Sequence, residues 1–526
     1  MKKHILSICT LVAALTMGST ALTSCDDPQE LQDMVLDRVL SPTSLSARIT
    51  NQTDIILTWD EMSGAASYEI EAYADTPDYD NRTPDISATT TLTTYTLTNL
   101  LGETTYYIRV RAIDSEDASR NSKWTTIERT TNPEQNMNKV KSGDILGKSV
   151  TLTWTPGIDV DKIIITPNTA GSTAETVEYT LTEEDIANGS ATIGGLTPET
   201  SYRATLMLGE KTRGYATFTT NIDFSEATVI TADGDWVSAI ENAPAGSKLA
   251  LAPGNYVYSD DKLEIRSDLQ IGAQDPANLP VLNTCIQLYD GASLLLNQII
   301  LDGTNTDGSQ TLEYKSDGGF GNLTLRGCEI RNYVKGVIYI NVAATPNSIT
   351  IDNCLIHNIE CSGGDFIDSR KGGWNQLSLT NSTIYESAGS RDVIRLDDAS
   401  GSVSCRAEST IDHCTFYNVG NGSANYRIFY ARFAGNVNTF TNNVVVNFNN
   451  KRGFGNDSKT NTPTFNNNYY FNCHFLTADE DGSDAKFYDE EGTVLESNPF
   501  ADPDNGDFTI TDEVLQSYQF GDPRWI

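Results

Sequence analysis

The sequence predicts an all-β protein in which two β-sandwiches precede a right-handed parallel β-helix. Short alternating strands separated by turn residues fill the region from about residue 40 to residue 220, as expected for sandwiches. From residue 221 onward, a short apolar motif recurs with a period of roughly 28 residues, the length of one solenoid coil. Periodicity of this kind predicts stacked coils that share one continuous core.

The sandwich region contains the same two hallmarks twice. In each copy, an apolar strand ends in a tryptophan. About 48 residues after that tryptophan, a tyrosine preceded by a leucine begins a second alternating strand. This arrangement resembles the buried tryptophan and tyrosine corner of fibronectin type III domains. The resemblance implies two fibronectin-III-like modules that act as spacers or adhesive units. The hallmarks are Trp59 and Tyr106 in residues 40–132, and Trp154 and Tyr202 in residues 133–220.

The N-terminus has the pattern of a secretion signal that ends in a lipidated cysteine. A pair of lysines follows Met1, and the apolar stretch 5–17 is too short to span a bilayer. The segment Leu22–Cys25 resembles the lipobox of bacterial lipoproteins, which implies cleavage after residue 24 and a lipid on Cys25. The acidic tether 25–39 resembles that of surface lipoproteins in glycan-degrading Gram-negative bacteria. This resemblance implies a protein anchored in the outer membrane by its lipid alone and facing the cell exterior.

The composition restricts the partners that the protein can bind. The formal net charge is −35, and a strongly acidic surface repels the phosphates of nucleic acids. No nucleic-acid function is therefore expected. An acidic ligand would need basic residues gathered locally, because charges are screened over roughly 8–10 Å.

Residues 221–526 carry the repeat that predicts the β-helix. Trp236–Ile240 reads as a short amphipathic helix at its entry, and the segment after it resembles the capped start of pectate-lyase-like β-helices. Seven segments then repeat one pattern. An apolar strand position is followed by an inward apolar or aromatic residue and then by a polar position, which is mostly asparagine. Asparagines stacked in this way can hydrogen-bond along the coil axis. Small side chains share one interior position, and we expect the three thiols among them to be buried and inert. These residues are Cys328, Cys354, Ser382 and Cys414.

A further strand in each coil gives two columns of outward side chains. Its inward positions are occupied by Ile338 and equivalent apolar residues, and neighbouring coils lie about 4.8 Å apart, so outward side chains of adjacent coils touch. The first column reads Tyr339, Asp368, Arg395, Tyr430 and Gly455, and the second reads Asn341, Arg370, Asp397, Arg432 and Asp457.

These columns predict a basic strip that suits an acidic polysaccharide. Arginine binds carboxylates in a bidentate fork, and aromatic faces stack on sugar rings. Lyase chemistry removes the proton next to a uronate carboxyl group, which requires a neutral base and a cation. Lys371 is then the candidate base and Arg395 the candidate catalytic cation. The remaining candidate contacts to the substrate are Arg370, Arg432, Tyr339, Tyr430, Asp368 and Asp397, with Tyr426 and Trp374 as flanking aromatic residues.

A second interpretation of the same columns is purely structural. The order Arg370, Asp397, Arg432, Asp457 alternates in sign, as in a ladder of ion pairs on a solvent-facing surface. Calcium prefers oxygen ligands, so Asp368, Asp397 and Asp398 are candidate calcium ligands. Carboxylates that face arginines make a poor calcium cage, however, and no metal site is predicted.

The C-terminal motifs complete a resemblance that covers almost the whole mature chain. With the repeat, Asn498–Phe500, Gly506–Phe508 and Gly521–Trp525 resemble uncharacterised lipoproteins that join fibronectin type III modules to a pectate-lyase-like domain. Such proteins occur in glycan-utilisation systems, which implies an acidic polysaccharide and other surface proteins of such systems as partners. Three functions stay open: a polysaccharide lyase, a non-catalytic glycan-binding protein, and a structural or adhesive surface protein.

Overall fold

The computed structural model describes residues 37–306, 308–422 and 425–526. The chain divides into two units, one ending at Pro133 and the other beginning at Glu134. The predicted signal peptide and Cys25 lie outside the described residues. In the described ranges, no helix is both long and apolar enough to cross a bilayer.

The first unit is a β-sandwich of seven strands. One sheet has the order β1-β2-β5 and the other β4-β3-β6-β7, with every pair antiparallel. Trp59 is buried between them, as its position after an apolar strand predicts. The strands are β1 (Ser46–Thr50), β2 (Asp54–Thr58), β3 (Ser67–Ala74), β4 (Ile86–Thr90), β5 (Thr94–Leu97), β6 (Thr105–Ile113) and β7 (Thr125–Thr130), with a 3₁₀ turn at Ala118–Arg120.

The second unit begins with another sandwich. Its sheets have the orders β11-β8 and β10-β9-β12-β13. Its elements are a 3₁₀ turn at Ser142–Asp144, β8 (Ser149–Thr153), β9 (Lys162–Pro167), β10 (Val177–Thr180), α1 (Glu183–Asn188), β11 (Ser190–Gly194), β12 (Ser201–Leu208) and β13 (Lys211–Thr219).

Both sandwiches contain the predicted tyrosine corner. The Tyr106 hydroxyl accepts a hydrogen bond from the Leu101 amide at 3.0 Å, and Tyr202 does the same for the Thr197 amide at 3.0 Å. Each tyrosine lies five residues after its donor and is buried, so the corner fixes the loop to the strand that follows.

The rest of the second unit is a parallel β-solenoid of about nine turns. Its first elements are β14 (Thr228–Ile230), α2 (Trp236–Glu241), β15 (Ser247–Leu251), β16 (Asn255–Ile265), β17 (Leu269–Ala273), β18 (Val281–Leu288), β19 (Leu294–Asn297), β20 (Ile300–Asp302), β21 (Leu312–Tyr314), β22 (Gly318–Arg326), β23 (Glu329–Arg331), β24 (Ile338–Ile340), β25 (Ala344–Asp352), β26 (Leu355–His357) and β27 (Ile367–Ser369). They continue with β28 (Gln376–Thr380), β29 (Thr383–Tyr385), β30 (Ile394–Leu396), β31 (Glu408–Asp412), β32 (Thr415–Tyr417), β33 (Phe429–Ala431), β34 (Val437–Thr441), β35 (Val444–Val446), β36 (Thr464–Asn466), β37 (Tyr469–Phe471) and β38 (Thr493–Val494).

The coils stack into three faces around one apolar core. The first face is a ten-stranded sheet from β14 to β36. The second face contains β20, β23, β26, β29, β32, β35, β37 and β38. The third face contains β21, β24, β27, β30 and β33, and β18 pairs with the start of both the second and third faces.

The core has the composition that the repeat predicts. Ile338 and its equivalents Ile367, Ile394 and Phe429 are all fully buried. Helix α2 packs Trp236 and Ile240 against the first coil, as predicted for a cap. The stacked Cys328, Cys354, Ser382 and Cys414 are buried as well, so the interpretation of their thiols as core groups is confirmed.

The asparagine column lies at the turn between the second and third faces. Its members have positive φ angles near 50°, a conformation that asparagine tolerates better than most residues. The Asn447 amide donates to Asn418 at 2.8 Å, and that of Asn472 donates to Asn447 at 2.7 Å, so the predicted bonding along the axis is present. A second left-handed column separates the first and second faces. It consists of Gln298, Gly327, Asn353, Asn381, His413, Asn442 and Asn467.

The C-terminal segment folds back over the second face. Its elements are β39 (Phe500–Asp502), β40 (Asp507–Ile510), α3 (Glu513–Tyr518) and 3₁₀ turns at Pro503–Asn505 and Pro523–Trp525. These elements bury an apolar cluster against outward side chains of the solenoid. The cluster contains Tyr417, Val444, Val446, Phe500, Phe508, Ile510, Leu515 and Phe520.

Candidate functional site

The third face brings the predicted site residues together. Parallel pairing aligns Tyr339 with Asp368, Asp368 with Arg395, and Arg395 with Tyr430. The repeat therefore stacks a tyrosine, an aspartate, an arginine and a second tyrosine in consecutive coils. We name this surface, with the residues that follow its strands, the arginine–tyrosine face.

The second column begins where these strands end. The backbone amides of Arg370, Asp397 and Arg432 each donate to a carbonyl of the preceding coil, at 2.7–2.8 Å. Because their backbones are fixed in this way, the three side chains project side by side. The guanidinium groups stay partly accessible, with 33% of the Arg370 side chain and 31% of the Arg432 side chain exposed.

Asp368 lies beneath the arginines. Its side chain is completely buried and accepts hydrogen bonds from Arg370 Nε at 3.1 Å and Nη2 at 2.8 Å. The expectation that it contacts a ligand directly is therefore corrected, because the arginine covers it. A buried carboxylate needs such a partner, and Asp368 in turn fixes the direction of the arginine.

Asp397 holds the other two arginines. It accepts from Arg395 Nε at 3.1 Å and Nη2 at 2.9 Å, and from Arg432 Nη2 at 2.8 Å. Burial alone would raise the pKa of Asp397, but the hydrogen bonds and charges of the two arginines outweigh it and lower the pKa. Asp397 is thus a carboxylate shared between two coils.

A third column was missed in the sequence. Asp365, Asp392 and Arg427 lie two residues before the first residues of β27, β30 and β33 in three consecutive coils, and all are buried. Arg427 Nε donates to Asp392 at 2.8 Å, and Arg395 Nη1 donates to Asp365 at 3.3 Å. An alignment of the repeats that began two residues before each strand would have revealed this column.

Burial changes the acidity of these carboxyl groups. It is the largest cause that raises the pKa of Asp365, and the charge of Asp368 adds to it. Burial raises the pKa of Asp392 to about 6, although Arg427 acts in the opposite direction. Both groups therefore hold protons more strongly than exposed aspartates do.

Tyrosine rings lie against the guanidinium groups. The Arg427 guanidinium carbon is 3.7 Å from the centre of the Tyr430 ring, and that of Arg432 is 4.6 Å from it. In an adjacent part of the face, Arg370 lies 5.6 Å from the centre of Tyr339. Both rings are half-buried, so each has a free edge in the position predicted for sugar contact.

Of the two flanking aromatic residues, Tyr426 lies at the surface and Trp374 lies in the core. Tyr426 is half-buried, with the guanidinium of Arg391 5.6 Å from its ring centre. The expectation for Trp374 was wrong, because its side chain is fully buried and its indole nitrogen donates to Ser409 at 3.2 Å. It belongs to the solenoid core.

Lys371 lies at the edge of the arginine–tyrosine face. It is exposed, and within the described residues its ammonium group forms no ion pair. With Asn341 and Arg370 it lines a shallow depression of about 450 Å³. The candidate base and one candidate clamp are therefore neighbours on an open surface.

The three predicted calcium ligands do not form a common cluster. Asp368 and Asp397 accept from arginines, and Asp398 pairs with Lys459 at 2.8 Å. Across the part of the chain that the structure describes, no group of three or more histidine, cysteine or acidic side chains is placed to hold a metal ion.

Comparison with protein-family models supports the fibronectin type III fold in the N-terminal part of the chain. The fibronectin type III domain model matches residues 40–128. Two models described as domains of unknown function, DUF4957 and DUF5123, match residues 254–387 and 409–525 within the solenoid region. A search of curated proteins finds no match.

The similar solved structures are fibronectin type III arrays. A two-domain segment of chicken tenascin is 18% identical, with a TM-score of 0.25, and the match covers 34% of this chain and 99% of that one. The central fibronectin-III array of RIM-binding protein is 19% identical, with a TM-score of 0.15, and the match covers 35% of this chain and 63% of that one. The predicted fold class is confirmed: fibronectin type III structure at the N-terminus precedes a parallel β-solenoid of about nine turns. These folds are consistent with a surface glycan-binding or structural protein.

Proposed function

We propose that this chain is a surface lipoprotein whose arginine–tyrosine face binds an acidic polysaccharide without cleaving it. The observation that carries the proposal is the repetition of one arrangement in neighbouring coils. Arg370, Arg395 and Arg432 each have a guanidinium group fixed by an aspartate and placed near a tyrosine ring. Coils about 4.8 Å apart give a polymer a regular series of such contacts.

The fixed arginines favour binding over catalysis. A lyase stabilises the negative charge that develops in the transition state, and an unneutralised cation does this best. Here Arg395 contacts carboxylates of both Asp365 and Asp397. Much of its charge is already compensated, while its side chain, which is 24% exposed, still offers hydrogen-bond donors to a uronate.

The predicted lipid on Cys25 completes this proposal. It would hold the protein in the outer membrane, facing the exterior, with the first sandwich and the second as spacers. A glycan bound there would be kept close to the cell, where partner proteins of a glycan-utilisation system act on it. We also propose that the solenoid is related to pectate-lyase-like β-helices.

Affinity electrophoresis in gels that contain polygalacturonate tests the proposal. We expect the full chain to be retarded and Arg432→Ala to be retarded much less. Arg432 is the best position for this test, because Asp397 keeps Arg395 as a partner when Arg432 is removed. Arg406→Ala is the matched control, since this arginine is 60% exposed and pairs only with Glu408. Equal mobility of all three proteins with and without the glycan would contradict the proposal.

Lyase activity is the second candidate, and Lys371 is the observation that favours it. An exposed amine with no ion pair beside Arg370 has the chemistry of a base for removing the proton next to a uronate carboxyl group. The ultraviolet absorbance of unsaturated uronates measures this reaction directly, with and without added calcium. A rise that Lys371→Ala abolishes, while gel retardation stays unchanged, would establish a lyase. A flat trace with retardation intact would leave binding as the function.

A further inference from the structure

A polar cleft separates the second sandwich from the early coils of the solenoid, at a distance from the arginine–tyrosine face. Two adjoining cavities of about 340 and 390 Å³ share Asn221, Asn297 and Gln298 in their walls. Small-molecule sites have volumes of about 300–1,000 Å³ and often lie between domains. The cleft therefore has the size and position of a ligand site.

The solenoid wall of the cleft contains an unsatisfied buried polar group. Asn297 is 1% exposed, its amide nitrogen donates to Gln298 at 3.3 Å, and its Oδ1 makes no hydrogen bond in the described residues. Arg326, in the next coil, has a buried Nε that likewise makes no hydrogen bond. Unsatisfied buried groups are costly, so a donor and an acceptor in one cleft point to a hydrogen-bonding ligand.

The turn column is interrupted at this place. Later in the column, the side-chain amide of Asn467 donates a hydrogen bond to that of Asn442 at 3.1 Å. In the cleft, Gly327 stands between Gln298 and Asn353, and a Cβ there would lie 3.3 Å from the Gln298 side chain. The glycine therefore adds no side chain to the wall of the cleft and lies close against Gln298.

The second sandwich closes the cleft from the other side. Glu199 accepts a hydrogen bond from Arg326 Nη1 at 3.2 Å, and Thr219 and Asn221 line the same cavity. The adjoining cavity adds apolar side chains, among them Phe224. Phe224 packs so closely on Gly272 that a Cβ there would come within 2.5 Å of the ring, so this wall is tightly packed.

Charge indicates which kind of ligand fits. The cationic Arg326 and Lys148 face the carboxylates of Glu199, Asp352 and Asp223. With three carboxylates to two cations, the cleft has no excess of positive charge to attract a uronate or a phosphate. Carboxylates and amides are good partners for hydroxyl groups, which donate and accept at the same time.

We infer that this cleft is a second glycan site, which binds a neutral sugar unit through its hydroxyl groups. The hydroxyls satisfy Asn297 Oδ1 and Arg326 Nε, and the apolar end accommodates the C–H face of the ring. The inference does not rest on the proposed function of the arginine–tyrosine face, because the two sites differ in location and in charge.

Isothermal titration calorimetry of the full chain with neutral xylo-, arabino-, galacto- and gluco-oligosaccharides tests the inference. We expect saturable binding of at least one of them, weakened at least about tenfold by Thr219→Trp, a loss of ~1.4 kcal/mol. Thr219 is exposed on β13, so an indole there fills the cleft without disturbing the core. Thr192→Trp is the control, since Thr192 is exposed on β11 of the same sandwich and lines neither cavity.

A second variant adds a side chain to the cleft wall at Gly327. Gly327→Asn keeps a residue that tolerates the left-handed φ of 60°, but places an amide where the sugar would lie. It should weaken neutral-sugar binding and leave retardation by polygalacturonate unchanged, whereas Arg432→Ala should do the reverse. No binding of any neutral oligosaccharide, equal binding by Thr219→Trp, or a crystal of the soaked protein with water alone on Asn297 would overturn the inference.

Discussion

The second and third faces of the solenoid are built from the same repeat but present different surfaces. On the second face the outward side chains become apolar towards the C-terminus, from His357 through Tyr385 and Tyr417 to Val446, and the C-terminal segment covers them from Tyr385 onward. On the third face the outward side chains are charged or aromatic, and apart from the buried Asp368 they are partly exposed. The strand arrangement is alike on both faces, so the difference lies in the side chains that each face presents.

Both faces bury their outward side chains by different means. Phe508 is fully buried, and four aromatic ring centres lie within 5.6 Å of its own, two on the covered face and two on the C-terminal segment. Asp368 on the third face is equally inaccessible, and its carboxylate is held by Arg370, by Arg395 and by the Asp365 amide. A face covered by its own chain has a structural role, whereas a face covered by charged side chains keeps donors available to a partner.

Removal of the Phe508 ring should give the largest effect. Phe508→Ala deletes a fully buried aromatic side chain, and such changes cost about 3–5 kcal/mol. Hydrogen exchange in β32 and β35 measures the loss, because opening of the C-terminal segment exposes these strands. Val514→Ala in α3 is the control, since Val514 is 50% exposed and should change exchange by less than about 0.5 kcal/mol. Unchanged protection in Phe508→Ala would mean that the C-terminal cover does not stabilise the second face.

The charged cover of the third face should cost slightly less to break. Asp368→Ala leaves Arg370 without its carboxylate, and loss of one partner of a buried pair costs about 3 kcal/mol or more. The loss should persist at high salt, because buried pairs are poorly screened. Exchange in β27 and β30 reports it.

The comparison for that variant is a surface pair. Glu408→Ala removes the partner of Arg406, at 3.8 Å and with both side chains largely exposed, and should cost at most about 1 kcal/mol. If Asp368→Ala cost no more than Glu408→Ala, the buried network would contribute nothing to the third face.

Asp392 gives the third face a pH dependence. Its folded-state pKa of about 6 lies above the unfolded value of 3.8, so the folded protein binds the additional proton between these values. Its contribution therefore stabilises the fold below about pH 4 and is lost as the pH rises through 6.

Comparison with Asp392→Asn isolates this contribution. From pH 4 to pH 7, the wild type should lose about 1–3 kcal/mol of local stability relative to the variant, because one pKa unit corresponds to about 1.4 kcal/mol. Hydrogen exchange in β30 and β33 at several pH values measures the difference. A constant difference across this range would show that Asp392 titrates as an exposed aspartate does.

The sequence predicted the periodic part of this architecture, and the reason is physical. Inward apolar residues at spacing two and left-handed asparagines at the turns are local requirements, so each coil repeats them and the register of Tyr339, Asp368 and Arg395 follows. Asp368 was misplaced because a strand pattern tells which side a residue faces, not whether a neighbour covers it. Trp374 precedes β28, outside the alternating strands, so no strand pattern indicated that its side chain enters the core.

Features that depend on non-local packing could not be predicted in the same way. Phe508 meets Tyr385 only because the chain returns across the second face, and no periodic signal marks that return. The cleft beside Asn297 likewise depends on where the second sandwich docks. The buried column of Asp392 and Arg427 is different, since the repeat register contained it.

The asparagine column should show the smallest effect and can separate two causes of stability. Asn447 has a φ of 62°, donates to Asn418 and accepts from Asn472. Asn447→Ala loses both hydrogen bonds and adds left-handed strain, so it should cost about 1–2 kcal/mol. Asn447→Gly loses the same hydrogen bonds without that strain and should cost less, although glycine is more flexible in the unfolded chain. Exchange in β35 measures both variants, and an alanine variant no less stable than the glycine variant would mean that hydrogen bonding along the axis, and not turn geometry, selects asparagine in this column.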